Sequence, residues 1–323
     1  MIAKTKPTMI MMCGLPGSGK SFLSAQYAEK GYVIHSSDAI REELLGDINN
    51  QDNNQKVFDE LHRRIKQDLI DGKNVVYDAT NLSRKRRVHF LRQLQNIDCN
   101  KKCILVYTYF RDCLENNKKR TRQVPENVIE KMLKSFQVPY YNEGFDEIEI
   151  RSSCEPFKDE QLSDMFRYLN DIEQDNPHHD FSIGKHCARA AAYISHLTKT
   201  GDSHLTWAAG LHDIGKAFCK TFKNAKGEET EIAHYYGHEN VSAYFAINVL
   251  LSYFSTKETL YISYLINNHM RFNQMSNLNW DKQVKARSKL MGLVGPEIYR
   301  DLHSLYLADE NSRKESHNDR LSE

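Results

Sequence analysis

Near its start the chain reads Thr8-Met9-Ile10-Met11-Met12-Cys13-Gly14-Leu15-Pro16-Gly17-Ser18-Gly19-Lys20-Ser21, and then Phe22 to Lys30 with helical spacing. An uninterrupted apolar run suits a strand buried on both faces. The glycines after it mark a loop whose backbone must approach something closely, and the GxxxxGKS spacing is that of a phosphate-cradling loop. Its backbone N–H groups and the helix N-terminus hold polyphosphate, the lysine reaches the transferring phosphate, and the serine holds Mg²⁺. Gly14, Gly17, Ser18, Gly19, Lys20 and Ser21 are therefore the candidate residues for ATP or another nucleoside triphosphate, with Ser21 on the metal.

Working outward, short β-like segments recur at Tyr32 to His35, Asn74 to Tyr77 and Lys102 to Phe110, separated by charged stretches of helical period. This alternation predicts an α/β domain, a parallel sheet with helices on both faces. Asp38 and Arg41 follow the second strand, at the strand end where open α/β sheets bind ligands. Asp38 there is either a helix N-cap or a general base for an acceptor hydroxyl, and Arg41, one turn on, can hold an acceptor phosphate. Asp78 ends the third strand and stands near Mg²⁺ or near the acceptor. The run Arg84-Lys85-Arg86-Arg87 reads as a solvated helix face, with a nucleic-acid backbone as its other reading.

Arg151-Ser152-Ser153 and Pro156 mark a boundary, giving domains 1–153 and 157–323. Beyond it, apolar periodicity runs through Cys187 to Leu197, Ala243 to Leu251, Leu260 to Ile266 and Ile298 to Leu307, with few strand signals, so the second domain is expected to be all-α. A length of 323 residues suits two such domains. The net charge of +1 excludes a protein that coats DNA, so any nucleic-acid contact should be local, to an end or a single strand. The apolar run from Ala243 to Phe254 is too short to span a bilayer, Thr8 to Cys13 is too short for a signal-peptide core, and seven cysteines at irregular spacings suit reduced thiols. A cytoplasmic protein without membrane contact is the expectation.

Histidine separates the halves: apart from His35, His62 and His89, all 14 lie at or beyond His178. His186, the pair His212-Asp213, His238, His269 and Asp309 stand in helical surroundings far apart in sequence. The His212-Asp213 pair follows the apolar segment Trp207 to Leu211, where charge needs a reason. Imidazole with carboxylate suits Mn, Fe, Co, Ni or Zn, and a site with open positions would activate water for phosphoester hydrolysis.

Two resemblances sharpen this. Gly14 to Ser21, Ser37-Asp38-x-x-Arg41, Asp78-Ala79-Thr80-Asn81 and Asn116 to Pro125 before Glu126-Asn127-Val128-Ile129 resemble the phage-type polynucleotide 5'-kinase family over residues 8 to about 150. The resemblance implies Asp38 as general base, Arg41 on the acceptor strand's phosphate, and Arg120 of the lid on the donor phosphates. That family's lid carries two arginines four apart; the first position here is Asn116, with Lys118, Lys119 and Arg122 as nearby cations. Residues 176 to 312 resemble the HD phosphohydrolase superfamily, which implies an all-helical HD domain. By that resemblance His186, His212, Asp213 and Asp309 hold one divalent metal, His238 and His269 serve a second metal or the substrate phosphate, and Lys216 binds phosphate. His178 and His179 read as a capping loop or outer layer.

Together the resemblances imply a bifunctional enzyme that heals RNA or DNA ends, single-stranded or nicked. It would phosphorylate a 5'-hydroxyl, remove a 2',3'-cyclic, 2'- or 3'-phosphate, and hand the ends to a separate ligase. A nucleoside or metabolite kinase fused to a nucleotidase is the alternative, and a nucleotide-responsive regulator is a third reading.

Overall fold

Every side chain from Met9 to Cys13 is 1% exposed or less, which requires a central strand covered on both faces. In the computed structural model, which describes residues 6–198 and 203–315, this strand is β1 (Thr8–Cys13). After it come α1 (Lys20–Ala28), β2 (Val33–Ser36), α2 (Ser37–Leu45), α3 (Asn54–Ile70), β3 (Val75–Asp78) and α4 (Arg84–Gln93). The first region continues with β4 (Asn100–Tyr107), α5 (Phe110–Lys118), α6 (Glu126–Leu133) and β5 (Glu147–Ser152).

The five strands form one parallel sheet in the order β2-β3-β1-β4-β5. Alternation along the strands sorts the two covers. Ile10, Met12, Val76, Ile104 and Val106 pack under Leu23 and Tyr27 of α1. On the opposite side Tyr77 meets His62 of α3 and Phe90 of α4, with ring centroids 5.6 and 5.1 Å away. From β1 the chain crosses to the edge strand β2 and returns to β3 before passing to β4 and β5, and because all five strands are parallel the loops after β1, β2 and β3 share the carboxyl edge where such sheets bind ligands.

One reading of the sequence is extended here and another corrected. Arg151-Ser152-Ser153 is in part strand: Ile148 and Ile150 of β5 alternate with charged Glu147, Glu149 and Arg151, and Lys102 of β4 pairs with Glu147 and Glu149 at 2.7 and 2.8 Å. The run Arg84 to Arg87 is not wholly solvated. Arg87 is 1% exposed, and its Nε and Nη2 donate to the two carboxylate oxygens of Glu143 at 2.7 Å each. Its Nη1 donates to the carbonyls of Asn81 and Leu82 at 2.9 and 3.0 Å. This pair ties the loop after β3 to a distant segment.

The second compact unit comprises residues 155–323 with 133–138, a segment that lies before the boundary expected from sequence. Its elements are α7 (Asp159–Asn170), α8 (Ile183–Thr198), α9 (Ser203–Leu211), α10 (Lys216–Cys219), β6 (Thr221–Lys223), β7 (Glu229–His234), α11 (His238–Leu251), α12 (Thr256–Asn268), α13 (Arg271–Ser276), α14 (Trp280–Val294) and α15 (Pro296–Asn311). The region is helical but not all-α: β6 and β7 form an antiparallel ribbon, with Thr221 opposite His234. Its strands are short and rich in exposed charge, so they carry no apolar alternation to read. Among the described residues no helix is long and apolar enough to cross a membrane.

Because Arg87 and Glu143 are wholly desolvated partners, removing one strands the other. Arg87→Met should lower the stability of the first unit by about 3–5 kcal/mol in urea denaturation, and the double variant Arg87→Met/Glu143→Leu should regain much of it. Equal losses in both proteins would show that the pair itself carries the stability.

Candidate functional site

The loop between β1 and α1 takes its shape from contacts that exclude side chains. Gly17 has φ +81°, and a Cβ there would lie 2.1 Å from the carbonyl oxygen of Cys113, so glycine is required both by conformation and by space. Thr108 Oγ1 donates to the Ser18 carbonyl at 3.1 Å, and the Gly14 amide donates to the Thr80 carbonyl at 3.0 Å, which fixes the loop against the ends of β4 and β3. Gly19, in the left-handed conformation, caps α1.

Lys20 is buried, and its ammonium donates to the Leu15 carbonyl at 2.7 Å, inside the curl of the loop. Burial pulls its pKa down, while the nearby carboxylate of Asp78 pushes it up. Asp78 is buried beside the hydroxyls of Ser21 and Ser24, and burial raises its pKa against the pull of Lys20. Of the two places open to Asp78 in the sequence, this one is next to the serine that would hold Mg²⁺. The loop geometry, with a lysine and a serine–aspartate pair at its end, fits a polyphosphate and its divalent ion.

Asp38 lies in the first turn of α2, but the N-cap is Ser36, whose hydroxyl accepts from the amides of Asp38 and Ala39. The Asp38 carboxylate is thereby left free of the capping role. Its Oδ1 receives Arg41 Nη1 at 3.2 Å and Arg122 Nη1 at 2.5 Å. Arg41 is 5% exposed and also donates to Asn54 Oδ1 at 2.7 Å.

The segment expected from the resemblance as a lid spans the end of α5 and the turn after it. Asn116 donates to the Gly17 carbonyl at 3.1 Å. Asn117 clasps Val124 through both its amide and its carbonyl, closing the turn that carries Arg120 and Arg122. Arg120 is exposed, with its charge felt at Lys20.

In the second unit the six His and Asp residues singled out from sequence converge. His186 comes from within α8 and Asp309 from α15, whereas His212 and Asp213 lie in the turn after α9, His238 opens α11 and His269 closes α12. His186 Nε2 is 3.2 Å from His212 Nε2, 3.2 Å from Asp213 Oδ2 and 3.3 Å from Asp309 Oδ1. On the other oxygen, Asp213 Oδ1 has His238 Nε2 at 3.2 Å and His269 Nε2 at 3.7 Å.

Each of the four imidazoles turns its other nitrogen to a backbone carbonyl. His186 Nδ1 faces that of Ser312 at 3.1 Å, His212 Nδ1 that of Ala209 at 2.7 Å, and His238 and His269 those of Tyr235 and Ile266 at 2.8 Å each. With Nδ1 turned to a carbonyl, all four rings direct Nε2 inward, the orientation of metal-ligating histidines. Asp213 Oδ1 is buried without a hydrogen-bond partner. The four ligand atoms on one side and three on the other lie within 4.8 Å of one another, a spacing that fits a divalent cation on each oxygen of Asp213.

Burial pushes the carboxyls of Asp213 and Asp309 upward, yet the surrounding His212, Lys216 and His186 hold Asp213, and His186, His212 and Arg313 hold Asp309, well below the usual carboxylate range. Burial, with His212 and His238 nearby, pushes His269 down to about 3, whereas the Asp213 and Asp309 carboxylates raise His212 to about 10 against its burial.

Lys216 donates to Asp213 Oδ2 at 2.7 Å and to Gln174 Oε1 at 2.8 Å, and His179 Nε2 lies 3.4 Å from the same ammonium with its ring edge-on to His186. Asp309 Oδ2 accepts from Arg313 Nη2 at 2.6 Å and from Asn273 at 3.0 Å. Gln174, Asn273 and Arg313 were not singled out from sequence. Only Arg313 had a readable relation, four residues beyond Asp309 and just past the end of α15.

Residues 9–139 match a family described as AAA domain, so the first unit is a P-loop domain, with a parallel-sheet kinase fold followed by a helical region. An L-seryl-tRNA(Sec) kinase of Methanococcus maripaludis is 22% identical over 239 residues, 69% of this chain and 93% of that protein. Among solved structures, a chain of the Pnkp1/Rnl/Hen1 RNA repair complex has 19% identity and a TM-score of 0.35, and the match takes in 40% of this chain but 43% of that one. A gluconokinase from Sinorhizobium meliloti 1021 has 20% identity and a TM-score of 0.34 over 47% of this chain and 85% of its own. This chain thus spans less than half the length of the repair-complex chain it matches.

Gly17→Ala should disrupt the phosphate loop at its contact with Cys113. The rise in Tm that an ATP analogue gives the wild type should disappear in this variant, since ligand stabilisation scales with affinity. An undiminished rise would mean that the loop does not hold the nucleotide.

Proposed function

We propose that the chain is a nucleic-acid end-healing enzyme, with a 5'-hydroxyl polynucleotide kinase in the first unit and an HD-type metal-dependent phosphohydrolase in the second. The observation that carries the reading is the coexistence of two phosphate-directed centres in one chain: Lys20 with the acceptor-side pair Asp38–Arg41, and an Asp213 shared between two histidine sets. The hydroxyl acceptor of the similar seryl-tRNA kinase is carried by an RNA, which favours a nucleic-acid-borne acceptor over a free metabolite.

In the kinase step the 5'-oxygen attacks the γ-phosphorus of ATP, the bond to the bridging β–γ oxygen breaks, and Asp38 takes the hydroxyl proton. Lys20 and the loop amides offset charge on the transferring phosphoryl, and Arg120 would add to that from the lid. Ser21 and Asp78 would hold Mg²⁺, which supplies further charge neutralisation when bound.

In the second unit His186, His212, Asp213 and Asp309 would hold one divalent transition ion, and Asp213, His238 and His269 a second. Such ions, when bound, supply an activated water and neutralise phosphate charge. Lys216 would bind the substrate phosphate, Arg313 and Asn273 orient Asp309, and the buried carbonyl contacts keep all four imidazoles in one tautomer. The product of this unit is a 2',3'-diol end, and that of the first a 5'-phosphate, the pair a separate ligase requires.

The test is end-labelling of 5'-hydroxyl RNA and DNA oligomers with γ-labelled ATP, each with a 3'-hydroxyl or a 2',3'-cyclic phosphate. Lys20→Ala and Asp38→Ala should each cut labelling about a hundredfold or more, and only Lys20→Ala should also weaken ATP binding. His212→Ala and Asp213→Ala should abolish phosphate release at the other end yet leave labelling within about twofold, because each centre has its own core. Chelation should reproduce that loss, with Mn²⁺, Co²⁺ or Ni²⁺ restoring activity better than Mg²⁺. Free nucleosides outcompeting oligomers would favour a small-molecule kinase. Phosphate release persisting in chelated His212→Ala protein would remove the hydrolase.

A further inference from the structure

Helix α14 of the second unit has an outer side that its packing does not explain. It buries Leu290 and Val294 and rests on α13 and α15, so its remaining face should be polar. Instead Trp280 is 74% exposed, Val284 49% and Met291 44%. Spaced by four and seven residues, these three form one row along the helix. Lys282, Lys285 and Lys289, spaced by three and four, form a second exposed row. Between the rows lie Asp281, in the first turn, and the small Ser288 and Gly292.

The charge here runs against its surroundings. Residues 271–294 hold five Lys and Arg against Asp281 alone, whereas the remainder of 156–323 holds 14 against 21. No ion pair joins Lys282, Lys285, Arg287 or Lys289 to any described residue. Arg287, on the inner flank of the apolar row, lays its guanidinium over the ring of the buried Phe272, 6.0 Å from the centroid, and its Nε is buried without a hydrogen-bond partner. Phe272 precedes Asn273, which donates to Asp309 Oδ2 at 3.0 Å. The helix thus packs on the segment that holds one carboxylate of the candidate metal centre.

We infer that the outer face of α14 binds a single strand of nucleic acid, with a base stacked on Trp280 and neighbouring phosphates on Lys282, Lys285 and Lys289. The inference rests on the hydrolase reading above and gives that centre an oligonucleotide substrate, whose terminal phosphate enters the His and Asp cluster while the strand behind it lies on α14. Flat π-faces alternating with negative charge match an apolar row beside a row of unpaired cations. A duplex keeps its base faces stacked and would leave Trp280 in water. A second copy of the chain would set the same cations against their own kind. An anionic bilayer calls for a broad apolar face, and α14 presents a narrow row, its wider apolar side being packed on the protein.

The chain has two tryptophans, and Trp207 is packed against Tyr253, so quenching that disappears in Trp280→Phe reports stacking on Trp280. Titrating the full chain with a single-stranded oligonucleotide of about ten residues and a 3'-hydroxyl end should quench this fluorescence. Trp280→Ala should weaken binding about tenfold. Lys282→Ala/Lys285→Ala/Lys289→Ala should lower the slope of log affinity against log salt by about 2, since each phosphate contact on a single strand contributes about 0.7. In phosphate release, both variants should raise the KM of an oligonucleotide with a 2',3'-cyclic phosphate end about tenfold, keep its kcat within about twofold, and leave a nucleoside 2',3'-cyclic monophosphate unaffected, because one nucleotide does not reach α14.

Unchanged oligonucleotide affinity and KM in both variants would overturn the inference and leave the hydrolase reading standing. Strand binding through Trp280 with no phosphate released from any end would keep the surface and remove the hydrolase reading. Equal losses on the mononucleotide and the oligonucleotide would mark a structural role for α14 and overturn the inference. So would a Trp280 that ignores oligonucleotides but shifts to the blue on vesicles of phosphatidylcholine and phosphatidylserine in equal parts, which assigns the face to a membrane. A dimer that Trp280→Ala dissolves, without any response to oligonucleotides, would assign it to a second copy and overturn the inference as well.

Discussion

A carboxylate buried in a helical core must have partners on every side, and Asp213 sets that demand for the second unit. Its Oδ2 faces His186, His212 and Lys216, and its Oδ1 faces His238 and His269. These partners come from α8, the turn after α9, α10, α11 and the end of α12, so four helices and a turn each contribute a side chain to one carboxylate. Asp309 of α15 closes the ring through His186 and is itself held by Arg313 and Asn273. Lost packing among these helices would expose the charge, and lost charge would leave imidazoles buried without purpose. The helical fold and the polar centre are thus one arrangement.

The first unit meets its charges differently. Its phosphate loop is shaped by backbone and by the space a side chain cannot have, as at Gly17 against Cys113. Lys20 rests on the Leu15 carbonyl instead of forming a close ion pair, so it can turn to a phosphate without breaking one. Asp38, in contrast, is paired twice. The loop after β3, which follows Asp78, is anchored by Arg87, itself paired with the buried Glu143.

Much of this is legible in the sequence because it depends on local pattern. The glycine spacing before Lys20, the apolar run of β1 and the odd pair His212-Asp213 each announce themselves within a few residues. The segments that escape reading are those whose character is set by distant contacts. β5 is an edge strand with every second residue charged, and a Ser-rich end disguises it as a linker. Arg87 looks like its neighbours Arg84 to Arg86 until Glu143, far along the chain, arrives to bury it. The β6–β7 ribbon has too few residues to show alternation. Arg122 reads as one more cation in a basic run, and only the fold reveals that it meets Asp38.

The account turns on Asp213 as one carboxylate serving two cation positions, and metal content addresses it most directly. Wild-type protein loaded with Mn²⁺ and freed of excess should hold two ions per chain by elemental analysis, and Asp213→Asn, if folded by circular dichroism, should hold none. Retention of both ions by Asp213→Asn would contradict the shared carboxylate at the centre of the second unit.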